Sequence, residues 1–205
     1  MATTWIFDLD NTLHDAKSKI FPLVNLKMNE YISSYLDMSI EDANSLRQSY
    51  WIKYGATLKG LIKHHNINPV DFLAITHDLQ DFNNLVFPEN NLKETITKIE
   101  GRKIIYTNAP KAYTHKILKH SNVYEIFDEI FTIEDSDFIP KPNQDMMKFF
   151  LDKYDIKDGF FIDDIKENLK TAKNSGLSTV WITNEKIHPS YIDKKIERIS
   201  DLLTS

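Results

Sequence analysis

The chain has 205 residues, of which 41% are hydrophobic, and its formal net charge is −5. This length suits one domain with a buried core, or a core domain that carries a smaller insert. The acidic balance argues against a protein that binds nucleic acid polymers, because such proteins present a basic face. The chain has no cysteine, which excludes a disulfide scaffold and a thiolate metal site.

The sequence does not predict a membrane or secretory protein. The N-terminal region has no basic segment followed by an apolar stretch, so we expect no signal peptide. Its apolar runs are all much shorter than the ~20 residues that a membrane-spanning helix needs. A cytoplasmic location is therefore the expectation, and we expect no membrane partner.

The first half of the chain changes from a strand pattern to a helical pattern. Thr3–Phe7 is short, β-branched and aromatic, which predicts a buried strand. Residues 21–83 follow helical spacing, in which Ser39 and Asp42 resemble a capping box. Gly55 interrupts this pattern and predicts a tight turn or a close approach of the backbone.

After Pro88, predicted strands alternate with predicted helices. The helices are expected at 111–120, 143–154 and 165–173, and the strands at 103–109, near the end of 125–133, at 159–164 and, as the last strand, at 178–183. This alternation indicates βαβ units and a parallel sheet. We therefore predict an α/β fold, with a three-layer Rossmann-like core from residues 1–15 plus 88–205 and an all-helical insert at residues 16–87.

Polar side chains follow the predicted strands at their carboxyl ends, where parallel α/β sheets bind ligands. They are Asp8, Asp10, Thr12, Thr107, Asn108, Lys141, Asp163 and Asp164. Each motif alone has an ordinary explanation, such as a solvated turn or, for Asp163-Asp164, the N-cap of the next helix. Their joint occurrence at the ends of successive elements favours one chemical site.

The charge of this site predicts a bound cation. Asp8 and Asp10 would share one face of an extended strand, and two unit charges ~4 Å apart repel by about 4 kcal/mol at an effective dielectric constant of 20. Asp163 and Asp164 add further negative charge, against a single lysine, Lys141. Oxygen ligands without cysteine or histidine select Mg²⁺, ahead of Mn²⁺ or Ca²⁺.

These motifs carry a resemblance to a known family. The segments FDLDNTL, YTNA, KP and FIDDIKEN resemble the four motifs of the haloacid dehalogenase superfamily of phosphotransferases. The segments FDLDNTLHDA, IFP, YWIKYGATLKGL and YTNAP are similar to its pyrimidine 5′-nucleotidase branch. The resemblance implies a core of that superfamily's fold, with the helical insert acting as a cap.

The resemblance also implies a role for each motif residue. Asp8 would be the nucleophile that forms an aspartyl phosphate, and Asp10 would be the general acid and then the general base. Thr107, Asn108 and Lys141 would hold the phosphoryl oxygens. Mg²⁺ would be bound by Asp8, the Asp10 backbone carbonyl and Asp164, with Asp163 as a further ligand or a support. Thr12 and Asn168 would support these residues from outside the set that contacts the metal.

The helical cap is the expected source of substrate specificity. Tyr50, Trp51 and Tyr54 would stack on a base near the Gly55 turn, or Tyr50 and Trp51 belong to the core of the cap. His14 would contact the substrate, or it is a structural histidine. Both alternatives stay open at this point.

The function implied is a Mg²⁺-dependent phosphomonoester hydrolase, specifically a pyrimidine nucleoside 5′-monophosphatase. The partner would then be a small phosphorylated metabolite, namely a nucleotide. The alternatives are a phosphatase for a sugar phosphate or phosphoglycolate, a phosphomutase, and a regulatory module without catalysis. The presence of Asp10 disfavours carbon–halogen hydrolysis, since superfamily members with that chemistry lack a carboxylate at this position.

Overall fold

The computed structural model describes residues 3–203, and a parallel six-stranded sheet forms its centre. The strand order is β3-β2-β1-β4-β5-β6. The strands are β1 Thr4–Phe7, β2 Arg102–Tyr106, β3 Glu129–Phe131, β4 Phe160–Asp163, β5 Ser178–Ile182 and β6 Lys194–Ile196. Residues 1–2 and 204–205, the outer ends of the predicted core, lie outside the described residues.

The central strand β1 lies between β2 and β4, and this register determines which residues meet. Phe7 pairs with Ile105 of β2 on one side and with Ile162 of β4 on the other. All three strands run in the same direction, so the residues that follow them emerge together at the carboxyl edge of the sheet.

Helices surround this sheet. They are α1 Ile20–Leu36, α2 Ile40–Tyr54, α3 Thr57–His65, α4 Pro69–Thr76, α5 Phe82–Leu85, α6 Leu92–Lys98, α7 Lys111–His120, α8 Gln144–Lys153 and α9 Lys166–Asn174. Ile6 and Phe7 alternate between two separate hydrophobic clusters, because successive side chains of a strand point to opposite faces. The predicted three-layer α/β core is confirmed. Within residues 3–203, no helix is long and apolar enough to span a membrane.

The helices between β1 and β2 form a hydrophobic cluster of their own. We call α1–α4, residues 20–76, the helical segment. Its cluster contains Ile32 of α1, Leu61 of α3 and Phe72 of α4, together with Ile133 from the loop after β3. The start of α1 instead packs on the sheet through Ile20 and Val24. The division into a core and a cap at residues 15/16 and 87/88 stays a prediction.

Local sequence signals explain several helix ends. The Ser39 hydroxyl accepts a hydrogen bond from the backbone N–H of Asp42 at 3.1 Å, so the predicted capping interaction at the start of α2 is confirmed. Gly55 ends α2 with φ of 76°, a left-handed conformation that favours glycine, as the predicted turn requires. The predicted helix 111–120 is α7 itself.

One strand prediction was wrong. We expected the strand at 178–183 to be the last, but β6 follows it and pairs in parallel with β5. Lys194 and Lys195 form two of its three residues, so β6 has neither an apolar run nor a period-2 pattern. It is a strand because it adds to the sheet edge that β5 presents.

Candidate active site

The carboxyl edge of the sheet brings the sequence motifs together. Asp8 directly follows β1, and its backbone N–H donates to the carbonyl of Ile162 in β4 at 2.9 Å. Asp163 is the last residue of β4, and Asp164 follows it. Thr107 directly follows β2. The parallel register therefore places the predicted motifs around one site.

Lys141 is the electrostatic centre of this site. Its Nζ donates to Asp8 Oδ1, to Asp163 Oδ2 and to the backbone carbonyl of Tyr106, each at 2.8 Å. Asp8, Lys141 and Asp163 are all buried. A buried ammonium group with three acceptors uses all of its donors, so Lys141 is held in one position.

The pKa values of these groups report the balance of charge. Burial is the largest influence on the Asp8 carboxyl and raises its pKa well above the usual range. The charges of Asp163 and Asp164 raise this pKa further, and Lys141 offsets the increase only in part. Burial opposes the charge of Lys141, but the two neighbouring carboxylates outweigh it and raise the pKa of Lys141. The site thus holds more negative charge than one lysine neutralises.

Asp163 is held by Asn168. The Asn168 Nδ2 lies 3.0 Å from Asp163 Oδ1 and 2.9 Å from Oδ2, and the backbone N–H of Ile165 donates to Oδ1 at 2.8 Å. Both oxygens of Asp163 therefore already have donors. This arrangement favours a role for Asp163 in supporting the site over a role as a direct metal ligand. Among the hydrogen bonds of the described residues, no side chain donates to Asp164 in this way.

The chemistry of the carboxylates fits a divalent metal. Asp8, Asp163 and Asp164 each offer an oxygen, and these atoms lie within 4.8 Å of one another. Burial, followed by the charge of Asp163, raises the pKa of Asp164 to about 7. A bound cation would favour the charged carboxylate and so oppose this shift, and hard oxygen ligands of this kind suit Mg²⁺. The metal site stays a prediction.

Asp10 lies beside this cluster and bonds to other partners. Its Oδ1 accepts from the Tyr113 hydroxyl at 2.7 Å and lies 2.9 Å from His14 Nε2. The His14 side chain is 0% exposed, whereas that of Asp10 is 17% exposed. Of the two alternatives for His14, its placement supports the structural one, because a fully buried ring behind Asp10 has no surface for a substrate.

The two predicted phosphate-binding residues after β2 have defined positions. The Thr107 hydroxyl is buried and accepts from the backbone N–H of Ala109 at 3.0 Å. The Asn108 side chain donates to the Lys141 carbonyl at 3.0 Å and accepts from the Lys141 backbone N–H at 2.7 Å. This reciprocal pair ties the loop after β2 to the loop that carries Lys141.

Thr12 lies next to Asp8 in the site. The buried Thr12 hydroxyl lies 3.4 Å from Asp8 Oδ2, on the opposite oxygen from the one that Lys141 bonds. An open cleft of about 590 Å³ adjoins Asp164, with Asn11 and Lys17 on one wall and Thr183 and Asn184 on another. The carboxyl edge is therefore accessible from solvent on this side.

The predicted substrate residues of the helical segment make their polar contacts within that segment. Tyr50 OH lies 2.7 Å from His65 Nε2, and Tyr54 OH lies 2.5 Å from His64 Nε2. Trp51 is 62% exposed. Tyr50 also packs closely on α3, where a Cβ added to Gly60 would meet its ring. The predicted contact of Tyr50, Trp51, Tyr54 and Gly55 with a substrate stays a prediction.

Sequence reasoning missed Tyr113 and left His77 without an interpretation. Tyr113 is buried in the first turn of α7. His77 ends α4, and its ring packs edge-on against Tyr113 at a centroid distance of 5.6 Å. Burial lowers the pKa of His77 to about 4, so its ring is neutral at pH 7. The sequence contained one signal for Tyr113, namely its position in the helix α7, which begins just beyond the Thr107-Asn108 motif.

Comparisons with known proteins agree with this architecture. The family model described as haloacid dehalogenase-like hydrolase matches residues 5–182. Phosphate metabolism protein 8 of Saccharomyces cerevisiae is 27% identical over 199 residues, covering 86% of this chain. The chain spans 60% of the length of that relative.

Several solved structures share the fold. A HAD phosphatase from Thermococcus onnurineus has a TM-score of 0.70 at 18% identity, covering 98% of this chain and 96% of its own. HAD-hydrolase YfnB from Bacillus subtilis, bound to magnesium, has a TM-score of 0.63 at 16% identity, covering 99% and 97%. L-2-haloacid dehalogenase from Xanthobacter autotrophicus has a TM-score of 0.63 at 14% identity, covering 98% and 97%.

At these identities the solved structures show the fold alone, and they include both phosphatases and dehalogenases. The family model extends over most of the chain, from the middle of β1 to the end of β5. Its match includes Asp8, Lys141 and Asp164, which the structure brings to one edge of the sheet. On this match, the chain belongs to the haloacid dehalogenase-like hydrolase family.

Proposed function

We propose that the protein is a Mg²⁺-dependent phosphomonoester hydrolase that acts through an aspartyl phosphate on Asp8. The observation that carries this proposal is the pair of carboxylates after β1. Asp8 is bonded by Lys141, while Asp10, two residues on, is held by separate donors at its Oδ1. The two groups thus have different surroundings, as a nucleophile and a general acid require.

In the first step, a carboxylate oxygen of Asp8 bonds to phosphorus and the bond from phosphorus to the ester oxygen breaks. Asp10 gives its proton to the leaving oxygen, so the alcohol departs neutral. In the second step, Asp10 takes a proton from water, and the water oxygen bonds to phosphorus as the bond from phosphorus to the Asp8 oxygen breaks. Inorganic phosphate then leaves, and Asp8 and Asp10 return to their starting states.

The phosphoryl group would be held by Thr107, Asn108 and Lys141. Phosphoryl transfer spreads negative charge over three oxygens, so catalysis depends on positioning and on positive charge. The Lys141 ammonium also reduces the repulsion between a phosphate dianion and Asp8, since it bonds Asp8 at 2.8 Å. Asn108 contributes by fixing the Lys141 backbone.

The metal would be held by Asp8, the backbone carbonyl of Asp10 and Asp164, with Asp163 and Asn168 supporting them. When bound, Mg²⁺ supplies positive charge that offsets the carboxylates and the phosphoryl oxygens. Support for this site comes from the carboxylate oxygens within 4.8 Å of one another and from the raised pKa of Asp8 and Asp164.

The proposed substrate is a pyrimidine nucleoside 5′-monophosphate such as UMP or CMP, with turnover of other small phosphate esters. Support comes from the sequence resemblance of the motifs and of Tyr50–Leu61 to the pyrimidine 5′-nucleotidase branch. The magnesium-bound Bacillus subtilis structure reveals interdomain movement in that protein. By analogy, movement of residues 16–87 as a cap would bring Tyr50, Trp51 and Tyr54 towards a bound base.

A phosphate-release screen tests this function. Nucleoside monophosphates, sugar phosphates and phosphoglycolate are offered with Mg²⁺ and with a chelator, and products are identified. We expect free phosphate from pyrimidine nucleotides, only with Mg²⁺. Preference for sugar phosphates would contradict the nucleotidase assignment alone, and accumulation of an isomer would identify a phosphomutase.

The matched variants of this screen are Asp8→Asn and Asp158→Asn. Asp158 is an exposed aspartate in the loop before β4, so its substitution controls for a general loss of charge. We expect Asp8→Asn to lower phosphate release by about 10⁴-fold or more, as for other residues that act as nucleophiles. Full activity of Asp8→Asn would contradict the assignment of the nucleophile, and inactivity of the wild type on every ester would contradict phosphatase function.

A further inference from the structure

Two side chains converge on one oxygen of Asp10. The Tyr113 hydroxyl lies 2.7 Å from Oδ1, and His14 Nε2 lies 2.9 Å from the same atom. Within residues 3–203, the side-chain hydrogen bonds of Asp10 all end at Oδ1. The second oxygen, Oδ2, therefore lacks the constraint that fixes the first.

Tyr113 acts as a donor in this contact. The Tyr113 hydroxyl donates to Asp10 Oδ1 at 2.7 Å, and a phenol, whose pKa is ordinarily about 10, carries its proton at neutral pH. An unionised phenol beside a carboxylate oxygen donates its hydrogen to that oxygen. A hydrogen on His14 Nε2 fits the same geometry, because it leaves only a lone pair, and no N–H, without a partner at the buried Nδ1.

The position of Tyr113 is fixed by packing. Its ring is 2% exposed and belongs to the same hydrophobic cluster as Phe7 and Ile117. His77 packs edge-on against this ring at 5.6 Å. A buried phenol whose ring is packed in this way can orient its acceptor in turn, so the Asp10 carboxyl is oriented by a residue 103 positions further along the chain.

We infer that Tyr113 is a positioning residue that makes Oδ2 of Asp10 the oxygen that carries the transferred proton. In a protonated carboxyl, one oxygen is the hydroxyl and the other accepts hydrogen bonds. Since Oδ1 accepts from Tyr113 and His14, the proton lies on Oδ2. This inference rests on the proposed function, in which Asp10 protonates the leaving oxygen.

The transfer is balanced without any further reactant. The O–H bond at Asp10 Oδ2 breaks as the bond from phosphorus to the ester oxygen breaks, and the proton passes to that oxygen. Asp10 becomes a carboxylate, whose Oδ1 keeps both donors. Tyr113 loses no proton, so its contribution is the orientation of Asp10 and stabilisation of the charge that Asp10 develops.

Tyr113→Phe tests this inference with two aryl esters. Phenyl phosphate releases a phenol with a pKa of about 10, which needs a proton from the enzyme, whereas p-nitrophenyl phosphate releases a much more acidic phenol. We compare kcat/KM, which covers the steps up to formation of the aspartyl phosphate. The matched control is Tyr124→Phe, which removes a hydroxyl from a tyrosine that packs against the same hydrophobic cluster.

We expect Tyr113→Phe to lower kcat/KM about 30-fold for phenyl phosphate and by less than about 3-fold for p-nitrophenyl phosphate, with KM little changed for both. Tyr124→Phe should match the wild type on both esters. An equal loss on the two esters would indicate a merely structural role for Tyr113 and would overturn the inference, as would no loss.

The same experiment separates this inference from the proposed function. If the wild type hydrolyses both esters, Asp10→Asn abolishes turnover of phenyl phosphate and Tyr113→Phe is normal, then the positioning role alone is overturned. If Asp10→Asn hydrolyses phenyl phosphate as fast as the wild type, Asp10 is not the acid, and the proposed mechanism and the inference are both overturned.

Discussion

The carboxyl edge of the sheet and the helical segment differ in how much their side chains are buried and hydrogen-bonded to one another. At the carboxyl edge, Lys141 alone bonds two carboxylates and a backbone carbonyl, each at 2.8 Å. On α2, Trp51 is 62% exposed and Ile52 is 76% exposed. The reacting groups are thus built into a buried network, whereas the surface of α2 is free to contact another molecule.

The proposed reaction and the choice of substrate therefore depend on different parts of the molecule. Buried charges that bond one another cannot change without a large cost, so the proposed chemistry is tied to the fold of the core. Exposed aromatic residues change at little cost to stability, so specificity can vary in the helical segment while the reaction is kept. Three substitutions, the addition of Mg²⁺ and a change of pH test this contrast.

Lys141→Met is expected to have the largest effect on stability. It leaves Asp8 and Asp163 buried without their shared cation, and breaking a buried ion pair costs about 3–5 kcal/mol. Denaturant unfolding in the absence of metal measures this loss. Lys148→Met, at an exposed position of α8, is the control and should change the free energy of unfolding by less than about 0.5 kcal/mol. Equal effects of the two variants would contradict the network.

Mg²⁺ is expected to stabilise the folded protein by about 2.7 kcal/mol at a concentration 100 times its dissociation constant. Asp164→Asn should remove most of this gain, because it replaces an ionisable ligand by a neutral amide. Thermal unfolding with and without Mg²⁺ measures both, with Asp158→Asn as the control. Stabilisation of Asp164→Asn equal to that of the wild type would place the metal elsewhere.

The pH dependence of this stabilisation has a defined sign. Burial and Asp163 raise the pKa of Asp164 to about 7 in the metal-free protein, so below pH 7 the ion must displace a proton. The affinity for Mg²⁺ should therefore fall by at least about tenfold for each pH unit below 7, and protonation of the second proposed ligand, Asp8, whose pKa burial also raises, would steepen the fall. Affinity that is constant between pH 5 and pH 7 would contradict the ligand role of Asp164.

Sequence patterns missed the last strand of the sheet and predicted a helix with its observed bounds, and both outcomes have physical reasons. The helix 111–120 follows a motif and carries a regular apolar face, so its bounds were predicted as they are in α7. The strand β6 consists of two lysines and one isoleucine, and only pairing with β5 makes it a strand. The pattern of residues within a short segment gives no information about this pairing between two strands.

The same distinction applies to the candidate site. Asp8, Lys141 and Asp164 were predicted because each follows a recognisable strand or motif, and the structure brings them together. Tyr113 was not predicted, because its hydrogen bond to Asp10 joins residues 103 positions apart. The burial of His14 likewise depends on packing that the sequence does not display.

Trp51→Ala is expected to have the smallest effect on stability and a selective effect on binding. If Trp51 stacks on a base, its loss should raise KM for UMP by about tenfold, since base stacking on aromatic side chains contributes ~1–3 kcal/mol. KM for p-nitrophenyl phosphate should not change. Ile52→Ala, the adjacent exposed residue, is the control. An unchanged KM for UMP in Trp51→Ala would leave specificity to other residues and would contradict this contact.

The most direct test of the central claim is to trap the covalent intermediate. The protein is mixed with Mg²⁺ and a phosphate ester that it hydrolyses, quenched in acid during turnover, digested and analysed by mass spectrometry. We predict that the peptide containing Asp8 carries one phosphoryl group, and that Asp8→Asn carries none. Steady turnover with the phosphoryl group on another residue, or with no phosphorylated peptide at any quench time, would contradict the role of Asp8 as nucleophile.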